Sequence, residues 1–259
     1  MSKTITFFGA SGGCGSYALK AALEGGHTCI ALLRVPSKLA DLAKQYPEQL
    51  IIKEGNAHNV DDVAATLANP RAPGTFVDAI SFSIGNKPDM TKLDQGDPQV
   101  CTKGMTAILS ALSRMRARDG FQGLPFIAVV STTGLREKRD YPLALYPFYE
   151  FVLATPHADK RKMEELLKGS PERYALVRPS LLVDQDEAKA QKNMEKKKAK
   201  GKPYEKVIRV GVADTATGKV ESEEIGYAIT RQAVGKWLYD NLLMGEESKV
   251  EGKAFSITF

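Results

Sequence analysis

Two groups of residues in this chain have the chemistry of a site. The first is His157-Ala158-Asp159-Lys160 together with the hydroxyl run Ser131-Thr132-Thr133. A neutral histidine can move a proton near pH 7, a lysine supplies a compact cation, and hydroxyls both donate and accept hydrogen bonds. The second is Gly9-Ala10-Ser11-Gly12-Gly13-Cys14-Gly15. It follows the β-branched and aromatic run Thr4-Ile5-Thr6-Phe7-Phe8 and leads into a helical pattern through Tyr17, Leu19, Ala22 and Leu23 that stops at Gly25-Gly26. A glycine turn between a strand and a helix is a phosphate cradle. Gly9 permits the tight turn, Gly12 lets the backbone approach a pyrophosphate, and Gly15 lets the helix pack on the strand. Ser11, Gly13 and Cys14 complete the turn, whose plain alternative is a structural loop.

The elements around these residues follow from the apolar runs. Thr28-Cys29-Ile30-Ala31-Leu32-Leu33 is a second strand, and it ends at Arg34, with Lys38 a turn later and no acid before Asp41. In a nucleotide fold an acid at that position reads the ribose hydroxyl of NAD, whereas a cation pairs with the 2′-phosphate of NADP. Arg34 and Lys38 therefore select NADP(H). Pro36 opens a helix through Leu39, Leu42 and Ala43, and Leu50-Ile51-Ile52 is a third strand closing on Glu54-Gly55-Asn56-Ala57. A helix over Asp61 to Leu67 precedes a fourth strand over Phe76 to Ser81, which ends in Phe82-Ser83-Ile84-Gly85. There small residues let the backbone lie along a cofactor ribose. A long helix spans Asp97 to Arg118, a fifth strand spans Pro125 to Val130, and a sixth spans Tyr174 to Arg178. Thr155 is expected to cap a helix with Pro156 at its first position. Ser131 and Thr132 then stand at the carboxyl end of a central strand, where open α/β sheets bind ligands. The alternation of strands and helices predicts an α/β fold, a doubly wound parallel sheet of the Rossmann type.

The glycine spacing G-x-x-G-x-x-G, Arg34 after the second strand, H-A-D-K-R-K-M-E-E-L-L, V-R-P-S-L-L and the late A-I-T-R-Q-A-V-G-K-W-L resemble the atypical short-chain dehydrogenase/reductases, within them the NmrA-like group. The likeness covers nearly the whole chain. That group includes fungal NAD(P)-binding oxidoreductases, some from secondary metabolism. The resemblance implies that Lys160 is the lysine that holds the nicotinamide ribose, that Asn56 lies beside the adenine where relatives have an Asp, and that Pro179, Leu181 and Leu182 lie against the nicotinamide. It also exposes a departure. Family members carry a tyrosine four residues before the lysine as proton donor, and here that residue is Pro156. Three readings follow. Tyr146, Tyr149 or His157 reaches in as the acid from the aromatic segment 141–153; the hydride goes to a quinone, enone or iminium that needs little enzymic acid; or the site no longer reacts.

With 259 residues, 43% hydrophobic and 26% charged, the chain is expected to form one NAD(P)-binding domain over 1–259, the part from about 184 forming the substrate side. The net charge of +5 sits largely in Asp184 to Lys206, a solvated face or a lid, and with Tyr204 its one aromatic it does not signal nucleic-acid binding. No run of about 18 apolar residues signals a membrane helix, and a first strand starting at Thr4 leaves no room for a targeting peptide. Three cysteines without metal-like spacing point to a reducing cytosol, hence a cytoplasmic protein with no metal. Val207 to Gly211, Tyr227 to Ile229 and Phe255 to Thr258 are expected strands, with Thr230 capping a helix through Val234, Trp237, Leu238 and Leu242. The expected protein is a monomer or homodimer that reduces a small apolar or aromatic carbonyl, enone or quinone with NADP(H). Tyr141, Tyr146, Phe148, Tyr149 and Phe151 would line the substrate side. Its alternatives are a non-catalytic NADP-binding redox sensor that acts on a protein partner and a cofactor-binding isomerase or cyclase.

Overall fold

In the computed structural model, which describes residues 2–86, 96–136, 139–184 and 207–259, the site is carried by the parallel part of a nine-stranded sheet. Strands β1 (Thr4–Phe8), β2 (Thr28–Leu33), β3 (Leu50–Glu54), β4 (Ala79–Phe82), β5 (Phe126–Val130), β6 (Tyr174–Pro179), β8 (Arg209–Asp214), β9 (Val220–Ser222) and β11 (Lys253–Thr258) lie in the order β3-β2-β1-β4-β5-β6-β11-β8-β9. All pairings from β3 to β11 are parallel, and β8 and β9 close the edge antiparallel. A parallel sheet is covered on both faces, which is why its central strands are unbroken apolar runs. The period of two divides their side chains. Phe126, Ala128 and Val130 join the core beneath α1 (Gly13–Glu24) and α6 (Arg231–Trp237), whereas Ile127 and Val129 join the opposite core with α3 (Val60–Leu67), α4 (Val100–Asp119) and α5 (Ala154–Lys168).

The fourth strand begins later than its apolar run suggests. Phe76 pairs with Ala68 in an isolated antiparallel bridge, and Asp78 Oδ2 accepts from Thr4 N at 2.6 Å, so parallel pairing with β1 starts only at Ala79. At α5 the cap is Leu153, not Thr155, and no side chain fills the cap. The π-helical turn Phe148–Val152 delivers the chain directly into the helix, Leu153 N bonding back to Phe148 O. Thr155 and Pro156 thus fall inside the first turn, where the N–H that proline lacks would have no partner anyway. The segment expected to begin at Val207 is a strand from Arg209, and Thr230 Oγ1 caps α6 as expected, accepting from Ala233 N. The last strand, β11, sits between β6 and β8. Leu181–Val183 (β7) and Ala228–Thr230 (β10) form a separate two-stranded parallel pair. The stretch 185–206, which carries the expected charged lid, lies outside the described residues. No helix among the described residues is long and apolar enough to cross a membrane, and no group of His, Cys, Asp and Glu there could hold a metal ion.

Candidate active site

The strand order reverses between β1 and β4, and the carboxyl ends of these strands open into a cleft of about 1090 Å³. That lies just above the usual size of small-molecule and cofactor sites, roughly 300–1,000 Å³. Gly9, at φ 87°, turns the chain off β1, and a Cβ there would stand 2.7 Å from Ser83 C. A Cβ on Gly15 would meet Gly9 O at 2.5 Å, so the first turn of α1 rests directly on the end of the strand. Gly12 is different. Its φ of 176° suits any residue, and no atom lies within 4 Å of where its Cβ would be. Open space thus faces a helix start that has no side-chain cap and no acid in its first turn. Such N–H groups lack intrahelical partners and favour an anion, so the turn fits a pyrophosphate. Cys14, within the turn, is buried, and burial pushes its thiol up to about 11. It is a packing residue, not a nucleophile.

Along the cleft, Ser11, Gly13 and Cys14 of the turn are joined by Arg34 and Lys38 beyond β2, Asn56 and Ala57 beyond β3, and Ser83, Ile84 and Gly85 beyond β4. Gly15 supports the turn from below and does not line the cleft. Arg34 and Lys38 are exposed, and neither side chain has an ion-pair or hydrogen-bond partner among the described residues. The first acid after β2, Asp41, pairs with Lys44 at 3.5 Å. Asn56 shapes its own loop: its N–H donates to Asp62 Oδ2 at 2.8 Å and its Oδ1 accepts from His58 N at 3.1 Å.

The other end of the cleft is built on β5, α5 and β6, and Ser131, Thr132, His157, Lys160, Pro179, Leu181 and Leu182 all line it. Lys160 Nζ donates to Val130 O at 2.6 Å and Ile84 O at 3.0 Å, joining the ends of β5 and β4. Its neighbour sets its height. Buried Asp159 accepts from Cys101 N at 2.8 Å, Thr102 N at 2.9 Å and Thr102 Oγ1 at 2.6 Å, so α5 caps the first turn of α4 through a tertiary contact. Ser131 Oγ donates to Glu164 Oε1 at 2.6 Å, and Arg178 clamps the same carboxylate through Nε at 3.0 Å and Nη2 at 2.5 Å. Burial alone would push the Arg178 guanidinium down, but the Glu164 bonds and charge raise it above the ordinary arginine range. Thr132 is half-buried, and its hydroxyl has no partner among the described residues.

The aromatic segment contributes less than its composition suggests. Phe148 and Tyr149 line the cleft. Tyr146, at the end of the 3-10 turn Leu143–Leu145, is 48% exposed, and Phe151, within the π-helical turn, is 80% exposed; neither lines the cleft. Tyr141 is buried, stacked on Tyr149 with ring centroids 4.1 Å apart, and donates to Glu150. The Tyr149 hydroxyl lies 3.1 Å from Thr133 Oγ1, buried, and burial raises it above the ordinary phenol range. Among the described residues no tyrosine presents a free hydroxyl to Lys160. His157 is buried beside Tyr149, its Nε2 has no hydrogen-bond partner among the described residues, and burial, then the charge of Arg161, lowers it to about 4.

Neutral His157 makes a stability prediction. Its folded value lies below the ordinary 6.5, so between pH 6.5 and about 4 the unfolded chain binds the extra proton and stability falls as pH falls. Over that window the loss is about 3 kcal/mol. His27, also lowered by burial, adds a slope of the same sign. Urea denaturation of wild type and His157→Gln at pH 7 and pH 4.5 isolates the His157 share, and parallel losses in the two proteins would refute it.

Glu164 and Arg178 are site residues that motif reading passed over, and Asp159 was named there without a role. One signal was available: Arg178 interrupts the apolar strand Tyr174–Pro179, and an arginine at a fully buried position requires a buried acid. Which acid is set by the packing of α5.

A parallel sheet with this order, a glycine turn at its switch point and an open helix N-terminus above a long cleft define a Rossmann-type dinucleotide-binding protein. The model of the NAD(P)H-binding family matches residues 9–223, and the chain belongs to that family. It is 37% identical to Reductase pytE of Aspergillus terreus, over 99% of this chain and 98% of that protein. It is 30% identical to Oxidase pynE of Aspergillus niger, over 94% of each. The fold is shared with a short-chain dehydrogenase/reductase of Veillonella parvula in complex with NADP, at TM-score 0.65 and 16% identity over 100% of this chain and 95% of that one. An anaerobillin reductase from Escherichia coli O157:H7 matches at TM-score 0.62 and 17% identity, over 98% of this chain and 96% of that one.

Proposed function

We propose that the protein is an NADP(H)-dependent oxidoreductase that reduces a small apolar or aromatic carbonyl, enone or quinone. The observation that carries the cofactor preference is Arg34 with Lys38, two exposed cations at the cleft end of β2 without an acidic partner among the described residues. A cation there meets a ribose phosphate, and an acid would be needed for a ribose hydroxyl. The N–H groups of the glycine turn hold the pyrophosphate, and Lys160 fixes the far end of the cofactor. When bound, the nicotinamide supplies or removes a hydride. The curated relatives, named a reductase and an oxidase, support redox chemistry. Within the substrate class, quinones and enones are favoured. Pro156 replaces the usual phenol, Tyr149 is engaged with Thr133, and His157 is neutral at pH 7, so an acceptor that needs little enzymic acid suits this cleft.

Fluorescence titration with NADPH and NADH tests the reading. Wild type should prefer NADPH, and Arg34→Ala should weaken NADPH binding about 10- to 100-fold while leaving NADH nearly unchanged. Equal affinity for the two in wild type would overturn the assignment. The missing phenol favours a second reading, a cofactor-sensing regulator without turnover. NADPH consumption with at least one quinone or enone rejects it; tight binding with no turnover across such a panel supports it.

A further inference from the structure

We infer that Ser131 acts in the cleft only as a hydrogen-bond acceptor, so that the ligand group set against it carries an N–H or O–H. A serine hydroxyl has one proton and two lone pairs. Here the proton lies in the 2.6 Å bond to Glu164 Oε1. It belongs to Ser131, because Glu164 is held as a carboxylate: Arg178 engages both of its oxygens, at 3.0 and 2.5 Å, and Lys168 Nζ stands 3.8 Å from Oε2. A carboxylate in a two-pronged arginine clamp accepts and does not donate. Ser131, Glu164 and Arg178 are 4%, 3% and 6% exposed, so water cannot exchange freely with the network. Ser131 nonetheless lines the cleft, and what it offers there is lone pairs. A carbonyl oxygen against it would meet like charge; an amide or hydroxyl would bind. Its neighbour Thr132, with no partner among the described residues, can still donate. The strand end thus reads polarity as well as shape, and Glu164 and Arg178 are the positioning residues that set it.

The inference rests on the cofactor-binding reading for one of its two ligand sources, the cofactor amide; the other is the substrate. Calorimetry with two probe pairs separates them. NADP⁺ is compared with its 3-acetylpyridine analogue, in which a methyl replaces the amide NH₂. With NADP⁺ present, 1-naphthol is compared with 1-methoxynaphthalene. Wild type should favour the donor-bearing member of one pair by about tenfold, and Ser131→Ala should reduce that ratio to about one by weakening that member alone. The pair that responds names the source. A wild type with no preference in either pair, or a preference that survives Ser131→Ala, overturns the inference. If neither dinucleotide binds, the cofactor reading fails, and the naphthol pair measured on the protein alone still decides the role of Ser131.

Discussion

Arg178→Met is expected to destabilise the protein by about 3–5 kcal/mol, the cost of leaving one partner of a buried ion pair behind. Glu164 would keep the Ser131 bond and a lysine at 3.8 Å, but lose both prongs of its clamp. Arg178 is only 6% exposed, near the carboxyl end of β6, where it pairs with Ser256 of β11 just past the last β5 partner, Val177. Urea denaturation of Arg178→Met, Glu164→Gln and the double variant closes a cycle. The double variant should recover much of the loss, because replacing both charges removes the orphan. A single-variant loss below about 1 kcal/mol would show that the pair is not desolvated as the structure has it.

Gly9→Ala and Gly12→Ala should fail in opposite ways. At Gly9 a Cβ would lie 2.7 Å from Ser83 C, 2.8 Å from Ser83 O and 2.9 Å from Ile84 N, all backbone, at a φ of 87°. The left-handed conformation and the overlap together should cost about 3 kcal/mol or more, with nucleotide binding lost as the turn moves off β4. At Gly12 the same methyl meets nothing within 4 Å, so the fold should melt unchanged. Yet that space is where a phosphate must approach the backbone, and NADPH affinity should fall at least about tenfold. Thermal melting and NADPH titration on both variants give the pattern. A Gly12→Ala protein that binds NADPH as wild type does would remove the turn from the cofactor site.

What could be read from the residues was local. The glycine turn, Thr28–Leu33 with Arg34 behind it, and Phe126–Val130 as a central strand are each decided by neighbours in the chain, through backbone permissiveness at Gly9 and through burial on both faces of a parallel strand. Their alternation was enough for the fold class. Errors fell where long-range contacts override local pattern. The bridge of Phe76 to Ala68 delays β4, and the π-helical turn ahead of Ala154 takes the cap from Thr155.

The chemistry of the far end of the cleft was decided by tertiary structure. By itself the sequence determined that Lys160 has no tyrosine four residues before it and that Arg34 and Lys38 follow β2 without an intervening acid. It could not determine that Asp159 caps α4, that Glu164 takes the Ser131 proton, or that Tyr149 turns its hydroxyl to Thr133. Those partners are separated by 58, 33 and 16 positions along the chain. A hydrogen bond extends about 3 Å and depends on angle, so which groups meet is fixed only when helix and sheet pack.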